Sequence, residues 1–156
     1  MAIKLIAMDV DGVLTDGSFW WGPNGEEWKR FHFSDIMGLS RAHKAGLKLA
    51  LISGENSPLV DRLAVKMHIE DVVKSCRDKA SALREIAARH GLDLAEVCFM
   101  GDDINDVSAL EIVGLPAAPA DAQPAIRAKC RFVTQARGGN GAVRELIEAI
   151  LEEAQP

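Results

Sequence analysis

Residues 5–16 read Leu5-Ile6-Ala7-Met8-Asp9-Val10-Asp11-Gly12-Val13-Leu14-Thr15-Asp16. The apolar residues that dominate positions 3–8 predict a short buried β-strand. Two aspartates, Asp9 and Asp11, follow that strand directly, and a glycine comes after them. Because ligands of open α/β sheets bind beyond the carboxyl ends of the strands, both side chains are expected at the functional edge of a sheet.

Two carboxylates held this close repel each other unless a cation or a proton lies between them. Mg²⁺ is a hard cation that prefers oxygen ligands, so it is the expected partner of Asp9 and Asp11. The stretch alone also fits a simple turn or part of a calcium loop. Thr15 and Asp16 do not continue the ligand spacing of an EF-hand, and an apolar strand rather than a helix precedes the aspartates.

Size and composition narrow the class of protein. The chain has 156 residues, of which 48% are hydrophobic and 26% charged, as expected for one globular domain over 1–156. Its net charge of −5 argues against nucleic-acid binding through phosphate neutralisation. No apolar stretch is long enough to cross a membrane, and position 1 leads straight into the first strand without a signal peptide. The three widely spaced cysteines are expected to be reduced thiols in a cytoplasmic protein.

Strands and helices alternate along the chain, which predicts a Rossmann-like, doubly wound parallel sheet with helices on both faces. A β-hairpin is expected as an insertion over 17–33, since aromatic arms flank the turn at Asn24 and Gly25. The predicted strands cover 3–8, 47–52, 71–73, 97–100, 114–117 and 132–133. The predicted helices cover 39–44, 58–67, 78–90, 106–113, 124–128 and 142–152.

Polar residues end three of the apolar strands, and these ends share one edge in a parallel sheet. Asp9 and Asp11 follow the first strand, Ser53-Gly54 follow the second, and Gly101-Asp102-Asp103 follow a later one; Asp78-Lys79 open a helix. Together they offer a nucleophile, a second carboxylate, a hydroxyl beside backbone N–H groups, a lysine and further acids. These are the groups that phosphoryl transfer through an aspartyl-phosphate requires.

The chain resembles the haloacid dehalogenase superfamily of phosphatases over essentially its whole length. More narrowly, it is similar to the 3-deoxy-D-manno-octulosonate 8-phosphate phosphatase group. Four stretches carry this resemblance: Asp9-Val10-Asp11-Gly12-Val13-Leu14-Thr15-Asp16-Gly17, Asn24-Gly25-Glu26-Glu27, Gly101-Asp102-Asp103-Ile104-Asn105-Asp106 and Arg137-Gly138-Gly139-Asn140-Gly141-Ala142-Val143-Arg144-Glu145. The first and third are specific as a pair, and the last is nearly diagnostic of the narrower group.

The resemblance implies a role for each matching residue. Asp9 would become the aspartyl-phosphate, while Asp11 would protonate the leaving sugar oxygen and later deprotonate the attacking water. Mg²⁺ would be held by the carboxylates of Asp9 and Asp102 and by the backbone carbonyl of Asp11. The residues implied to bind the transferring phosphoryl oxygens are Ser53, Gly54 and Lys79. Asp103 and Asp106 would hold Lys79 or metal-bound waters.

Structural alternatives stay open for three of these residues. Ser53 also fits a simple helix N-cap, because a serine hydroxyl readily accepts a hydrogen bond from the first helical amides. Asp103 and Asp106 precede a predicted helix and equally fit caps of that helix.

The resemblance also implies how the substrate is selected. The spacing between the motifs leaves no room for a cap domain beyond the hairpin, so the site would be open, and the group covers it by forming homotetramers through the hairpins. The hairpin supplies exposed aromatic residues for such an interface: Phe19, Trp20, Trp21, Trp28, Phe31 and Phe33. Burial of these residues against their own domain stays open. The glycine-rich loop 137–141 is expected to be flexible, with Arg137 meeting the substrate of its own or a neighbouring subunit.

The expected substrate is a phosphorylated 2-keto-3-deoxy sugar acid. Asp35 falls in the segment that faces substrate in this group, yet the usual Arg-Asp-Gly is replaced here by Ser34-Asp35-Ile36. Glu55 stands where the octulosonate phosphatases have arginine, and together with Lys66 it resembles the 2-keto-3-deoxy-nononate 9-phosphate phosphatases. The sequence therefore leaves open an eight-carbon or a nine-carbon sugar acid.

Three rival interpretations stay open. The first is a phosphatase of another small phosphate ester. The second is a non-catalytic tetramerisation module related to the one fused to sialic-acid cytidylyltransferases. The third is a response-regulator receiver, although there the acidic pair precedes the phosphorylated aspartate on a separate strand, whereas here Asp9 and Asp11 lie on the first strand and the other acid pair comes late.

Overall fold

The computed structural model describes residues 2–156 and contains a six-stranded parallel sheet and a two-stranded antiparallel hairpin. The strands are β1 (Leu5–Met8), β2 (Trp20–Trp21), β3 (Glu27–Trp28), β4 (Lys48–Ile52), β5 (Asp71–Val73), β6 (Val97–Met100), β7 (Leu115–Ala118) and β8 (Phe132–Val133). The helices are α1 (Phe33–Lys44), α2 (Pro58–Met67), α3 (Lys79–Arg89), α4 (Val107–Leu110), α5 (Pro124–Arg127) and α6 (Ala142–Glu153). The doubly wound parallel sheet that the sequence predicts is confirmed.

The sheet order β5-β4-β1-β6-β7-β8 places β1 between β4 and β6. Met8, the last residue of β1, pairs with Leu51 on one side and Met100 on the other. The three strands thus end level with one another. This register brings the loops that follow β1, β4 and β6 to one edge of the sheet.

The core has two halves because successive strand residues point to opposite faces. Ile6 and Met8 pack on the side of α1, α2 and α6, whereas Leu5 and Ala7 pack on the side of α3, α4 and α5. All four side chains are fully buried. Along residues 2–156, none of the helices combines the length and the apolar character that a membrane span requires.

Two helices differ from the predictions made for them. The prediction that the first helix begins at Leu39 is wrong: α1 begins at Phe33, where His32 Nδ1 accepts a hydrogen bond from the Ser34 amide. Gly38 lies inside this helix, and because glycine is unfavourable in helices, the sequence does not predict helix before it. Its lack of a side chain lets α1 approach α6, since a Cβ at Gly38 would lie 3.1 Å from Arg144 Cα.

The helix predicted over 106–113 is also shorter in the structure. A 3₁₀ turn occupies Ile104–Asp106, and the α-helix that follows ends at Leu110. The cause is the carboxylate of Asp106, which bonds backward to the amides of Asp102 and Asp103 and so shapes the turn.

The hairpin is shorter along the chain than the predicted insertion over 17–33. Its strands pair only at Trp20 with Trp28 and at Trp21 with Glu27, while Phe33 belongs to α1. The side chains of the arm remain open to solvent: Trp21 is 73% exposed, and Trp20 and Trp28 are 51% and 52% exposed. Of the arm's aromatic residues, Phe31 packs against the core of its own domain, whereas the three tryptophans leave half or more of their surface in solvent.

Candidate active site

The loops after β1, β4 and β6 surround one cavity of about 430 Å³ at the carboxyl edge of the sheet. Its lining residues are Asp9, Asp11, Gly17, Gly54, Glu55, Asp102, Asp103 and Asn105. Four aspartates and a glutamate from three separate loops thus converge on one opening. The convergence expected from the strand ends is confirmed.

Asp9 lies at the bottom of this cavity with 5% of its surface exposed. Its Oδ1 accepts a hydrogen bond from the Val10 amide at 2.8 Å, and Lys79 Nζ lies 3.2 Å away. Burial, followed by the charge of Asp106, raises the pKa of Asp9 to about 6, although Lys79 opposes this shift. The contacts fix the orientation of the carboxyl group while leaving it at the open edge.

Lys79 is fully buried at the start of α3 and joins Asp9 to Asp106. Its Nζ donates to Asp106 Oδ1 at 2.7 Å. Burial alone would lower the pKa of Lys79, but the charges of Asp9 and Asp106 outweigh it and raise the pKa. The lysine is therefore charged at neutral pH, and its ammonium group lies beside the Asp9 carboxylate.

Asp9, Asp102 and Asp106 each place a carboxylate oxygen within 4.8 Å of the others. Burial and the charge of Asp9 raise the pKa of Asp102 to about 8. Both oxygens of Asp106 are already engaged, Oδ1 by Lys79 and Oδ2 by two backbone amides. Asp9 and Asp102 are consequently the carboxylates whose repulsion a divalent cation would relieve.

The backbone at Gly12 fits tightly around this acidic pair. Gly12 has φ +84°, and a Cβ there would lie 1.9 Å from Asp102 Oδ2. Only glycine both adopts this backbone conformation without strain and leaves room for the carboxylate. The donor set of hard oxygens and the shape of the site both fit Mg²⁺.

The three residues expected to bind phosphoryl oxygens differ in their access to the cavity. Gly54 lines it together with Asp9, whereas Ser53 and Lys79 are fully buried, Lys79 in contact with Asp9. Ser53 Oγ accepts a hydrogen bond from the Glu55 amide at 3.1 Å, which shapes the loop after β4. Ser53 caps no helix in this structure, since α2 takes its cap from Ser57.

Asp103 and Asp106, in the loop after β6, have different surroundings. Asp106 is buried on Lys79, whereas Asp103 is exposed and accepts a hydrogen bond from the Ile104 amide at 2.7 Å. Asp103 is the N-cap of the 3₁₀ turn. Asp106 also accepts from the Asp103 amide and so completes a capping box with Asp103. The cap interpretation therefore describes both acids, and Asp106 contacts Lys79 as well.

The residues expected to contact the sugar do not lie together. Glu55 lines the acidic cavity. Lys66 instead lines a neighbouring cavity of about 440 Å³ next to the base of the hairpin. Arg137 is 74% exposed in its side chain, with Nε 3.9 Å from Asp121.

Asp35 has a different environment from the substrate-facing one that was expected. The residue is 1% exposed, and its carboxyl group accepts hydrogen bonds from the amides of Gly141 and Arg144 at 3.3 and 3.0 Å. These amides lie at the N-terminus of α6, so Asp35 accepts hydrogen bonds from N–H groups that have no partner within the helix. The expectation that Asp35 faces the substrate is corrected accordingly.

The glycine-rich loop 137–141 is docked, contrary to the expectation that it is flexible. Gly138 and Gly139 are buried against the loop after β1, and the Gly139 amide donates to Val13 O at 3.1 Å. A Cβ at Gly138 would lie 1.9 Å from Gly12 O. Glycine here permits close backbone packing that supports the Asp9–Gly12 turn.

Lys29 is a site residue that sequence reasoning does not identify, as is Asn105 in the cavity wall. Lys29 follows the hairpin, and its Nζ donates to Asp11 Oδ1 at 2.5 Å. Eighteen positions separate the two residues, and no spacing rule connects them. Only the return of the hairpin toward the sheet brings them together.

The parallel sheet and the acidic cavity beside its central strand define an α/β domain of the phosphohydrolase type. A sequence model described as haloacid dehalogenase-like hydrolase matches residues 64–146. The chain belongs to this haloacid dehalogenase-like hydrolase family.

Individual relatives agree along almost the whole chain. The 3-deoxy-D-manno-octulosonate 8-phosphate phosphatase KdsC of Escherichia coli K12 is 35% identical over 149 residues, which span 96% of this chain and 79% of the relative. A crystal structure of the corresponding phosphatase from Moraxella catarrhalis, in complex with magnesium, phosphate and KDO, superposes with a TM-score of 0.94. It is 37% identical, and the match covers 96% of this chain and 86% of that one. The cobalt-bound phosphatase from Haemophilus influenzae has a TM-score of 0.93 at 33% identity, with coverage of 96% and 88%.

Proposed function

We propose that this protein is a Mg²⁺-dependent phosphatase that removes the terminal phosphate of a 2-keto-3-deoxy sugar acid through an aspartyl-phosphate on Asp9. The observation that carries this proposal is the Asp9 carboxyl group, which is fixed by Lys79 and Val10, lies beside Asp102, and still lines an open cavity. The substrate class is supported by relatives that are named 3-deoxy-D-manno-octulosonate 8-phosphate phosphatases.

The proposed reaction has two displacement steps. In the first, an Asp9 oxygen forms a bond to phosphorus while the bond from phosphorus to the sugar oxygen breaks, and Asp11 donates its proton to that oxygen. In the second, Asp11 takes a proton from a water molecule, whose oxygen attacks phosphorus and breaks the bond to Asp9. One carboxyl group serves both steps because the proton moves in opposite directions.

Charge near Asp9 supports these steps. Lys79 brings an ammonium group to the attacking carboxylate. The Gly54 amide, at the cavity wall, and Ser53 beside it in the chain are proposed to bind the equatorial phosphoryl oxygens. Bound Mg²⁺ would neutralise negative charge on Asp9, Asp102 and the phosphoryl group, with the Asp11 carbonyl as a further ligand. Asp106 keeps Lys79 charged and in place.

The sugar is proposed to be either the eight-carbon octulosonate or a nine-carbon analogue. Glu55 lines the cavity and adds negative charge, which favours a substrate rich in hydroxyl groups over one with a further anionic group there. Lys66 lies in the adjoining cavity, where a longer sugar chain would reach it. Arg137 is exposed enough to meet a carboxylate bound to its own or a neighbouring subunit.

The exposed hairpin supports assembly into a homotetramer. Phe19, Trp20, Trp21 and Trp28 are each about half exposed or more, and together they form an apolar surface on a short arm. In a tetramer, such arms would bury one another and partly cover the open sites. The same surface fits the second candidate function, a non-catalytic tetramerisation module.

A phosphate-release assay separates the two functions. We expect the wild-type protein to release phosphate from 3-deoxy-D-manno-octulosonate 8-phosphate or the nine-carbon 9-phosphate, to stop when Mg²⁺ is chelated, and to resume when it is restored. Asp9→Asn keeps the shape of the side chain but removes the nucleophile, so it should release none. A wild-type protein that is inactive on the whole panel yet tetrameric would favour the module.

A further inference from the structure

We propose that Lys29 is a positioning residue for Asp11, holding the acid–base carboxyl group in its working orientation; this inference rests on the proposed function. The residue lies directly after β3, at the base of the hairpin. Its ammonium contacts Asp11 Oδ1 at 2.5 Å, and its next acidic neighbour, Glu27, is at 4.0 Å. The hairpin thus supplies a charged group to the active site of its own subunit.

Burial makes this contact persistent. The Lys29 side chain is only 2% exposed, and the residue lies at the wall of a cavity that Phe31, Ile36 and Leu63 also line. An ammonium group removed from water is costly unless it is paired and hydrogen-bonded. Asp11 is the carboxylate within hydrogen-bond distance, so a movement of either group away from the other would leave a buried charge unpaired.

The contact restricts Asp11, which would otherwise be mobile. The Asp11 side chain is 26% exposed and lies on the rim of the cavity. With Oδ1 engaged by Lys29, Oδ2 is left to exchange the proton with the leaving oxygen and then with water. Holding a catalytic group in one geometry contributes to the rate because small displacements of such groups are costly.

Substrates with different leaving groups test this role. A sugar alkoxide must be protonated as it leaves, whereas p-nitrophenolate is stable without a proton. In single-turnover experiments with excess enzyme and Mg²⁺, we expect Lys29→Met to slow formation of free sugar acid about 10- to 100-fold. This is less than the roughly 100- to 10,000-fold that acid–base catalysis contributes, because Asp11 itself is kept. Release of p-nitrophenolate should slow by less than about 3-fold. Lys29→Arg should restore much of the loss, since it keeps the charge beside Asp11.

Matched controls separate this role from a structural one. Lys44→Met removes an exposed lysine of α1 and should leave both rates unchanged. If Lys29→Met slowed both leaving groups equally, with a large drop in melting temperature and no rescue by arginine, Lys29 would only hold the hairpin and the inference would be overturned. Equal rates for Lys29→Met and wild type would also overturn it while leaving the proposed function intact. A wild-type protein without activity on either ester would overturn both.

Discussion

Asp103 and Asp106, in the loop after β6, provide a sharp test of the site, because they are three residues apart and have different surroundings. Asp106 is fully buried, and its carboxylate accepts from Lys79 Nζ and from the amides of Asp102 and Asp103. Asp106→Ala would leave the buried lysine with a single, longer contact to Asp9 and would leave two amides unpaired. Removing one partner of a buried ion pair costs about 3–5 kcal/mol.

The matched control is Asp103→Ala, which removes an exposed cap worth about 1 kcal/mol. For a domain of this size, about 2–4 °C of melting temperature is lost per kcal/mol, so Asp106→Ala should melt about 6–20 °C lower and Asp103→Ala about 2–4 °C lower. Thermal unfolding followed by circular dichroism, with metal chelated, gives both values. Activity of Asp106→Ala should also be lost below its melting temperature, because Lys79 is no longer fixed. Equal shifts for the two variants would refute this reasoning.

Three other predictions concern the cation, the glycine turn and the hairpin. The pKa values of Asp9 and Asp102 are raised to about 6 and about 8, so the metal-free fold should lose stability as pH rises from about 4 to about 8. Because Mg²⁺ displaces the protons of these two groups, it should raise the melting temperature more at pH 8 than at pH 6. An equal rise at both pH values would contradict the pKa shifts. Gly12→Ala places a Cβ 1.9 Å from Asp102 Oδ2, so Mg²⁺ affinity measured by calorimetry should fall at least about tenfold; wild-type affinity would exclude the tight fit. Replacing Trp20 and Trp28 together by serine should convert a sedimenting tetramer into smaller species, and a wild-type monomer would rule out the proposed interface.

The sequence contains enough information to place the central part of the site. Asp9, Ser53 and Gly101 each follow a buried apolar strand, and the carboxyl ends of parallel strands share one edge. The sheet order puts those strands side by side, so their loops form one cavity. The apolar pattern of each strand, together with the rule that parallel strands end at one edge, is enough to predict this cavity.

Contacts between distant segments are where sequence reasoning fails. Lys29 reaches Asp11 only because the hairpin folds back, and Asp35 reaches the start of α6 from more than 100 residues away. Neither partner can be identified from spacing. The glycines at 138 and 139 show the same limit. Glycine content indicates flexibility, while in the structure Gly138 packs closely against Gly12, and Gly139 against Thr15 and Asp16.

Ambiguity between neighbouring acids has a similar origin. Asp103 and Asp106 both fit a cap and both fit contact with Lys79 when only the sequence is considered. In the structure both acids cap the 3₁₀ turn, and the turn directs Asp106 inward, where it also binds Lys79, while it leaves Asp103 in solvent.

The covalent step at Asp9 is tested most directly by trapping the intermediate. Wild-type protein mixed with substrate and Mg²⁺, quenched in acid during turnover and digested, should carry a phosphoryl group on the peptide that contains Asp9, and Asp9→Asn should carry none. A phosphoryl group found on another residue, while phosphate is being released, would contradict the account.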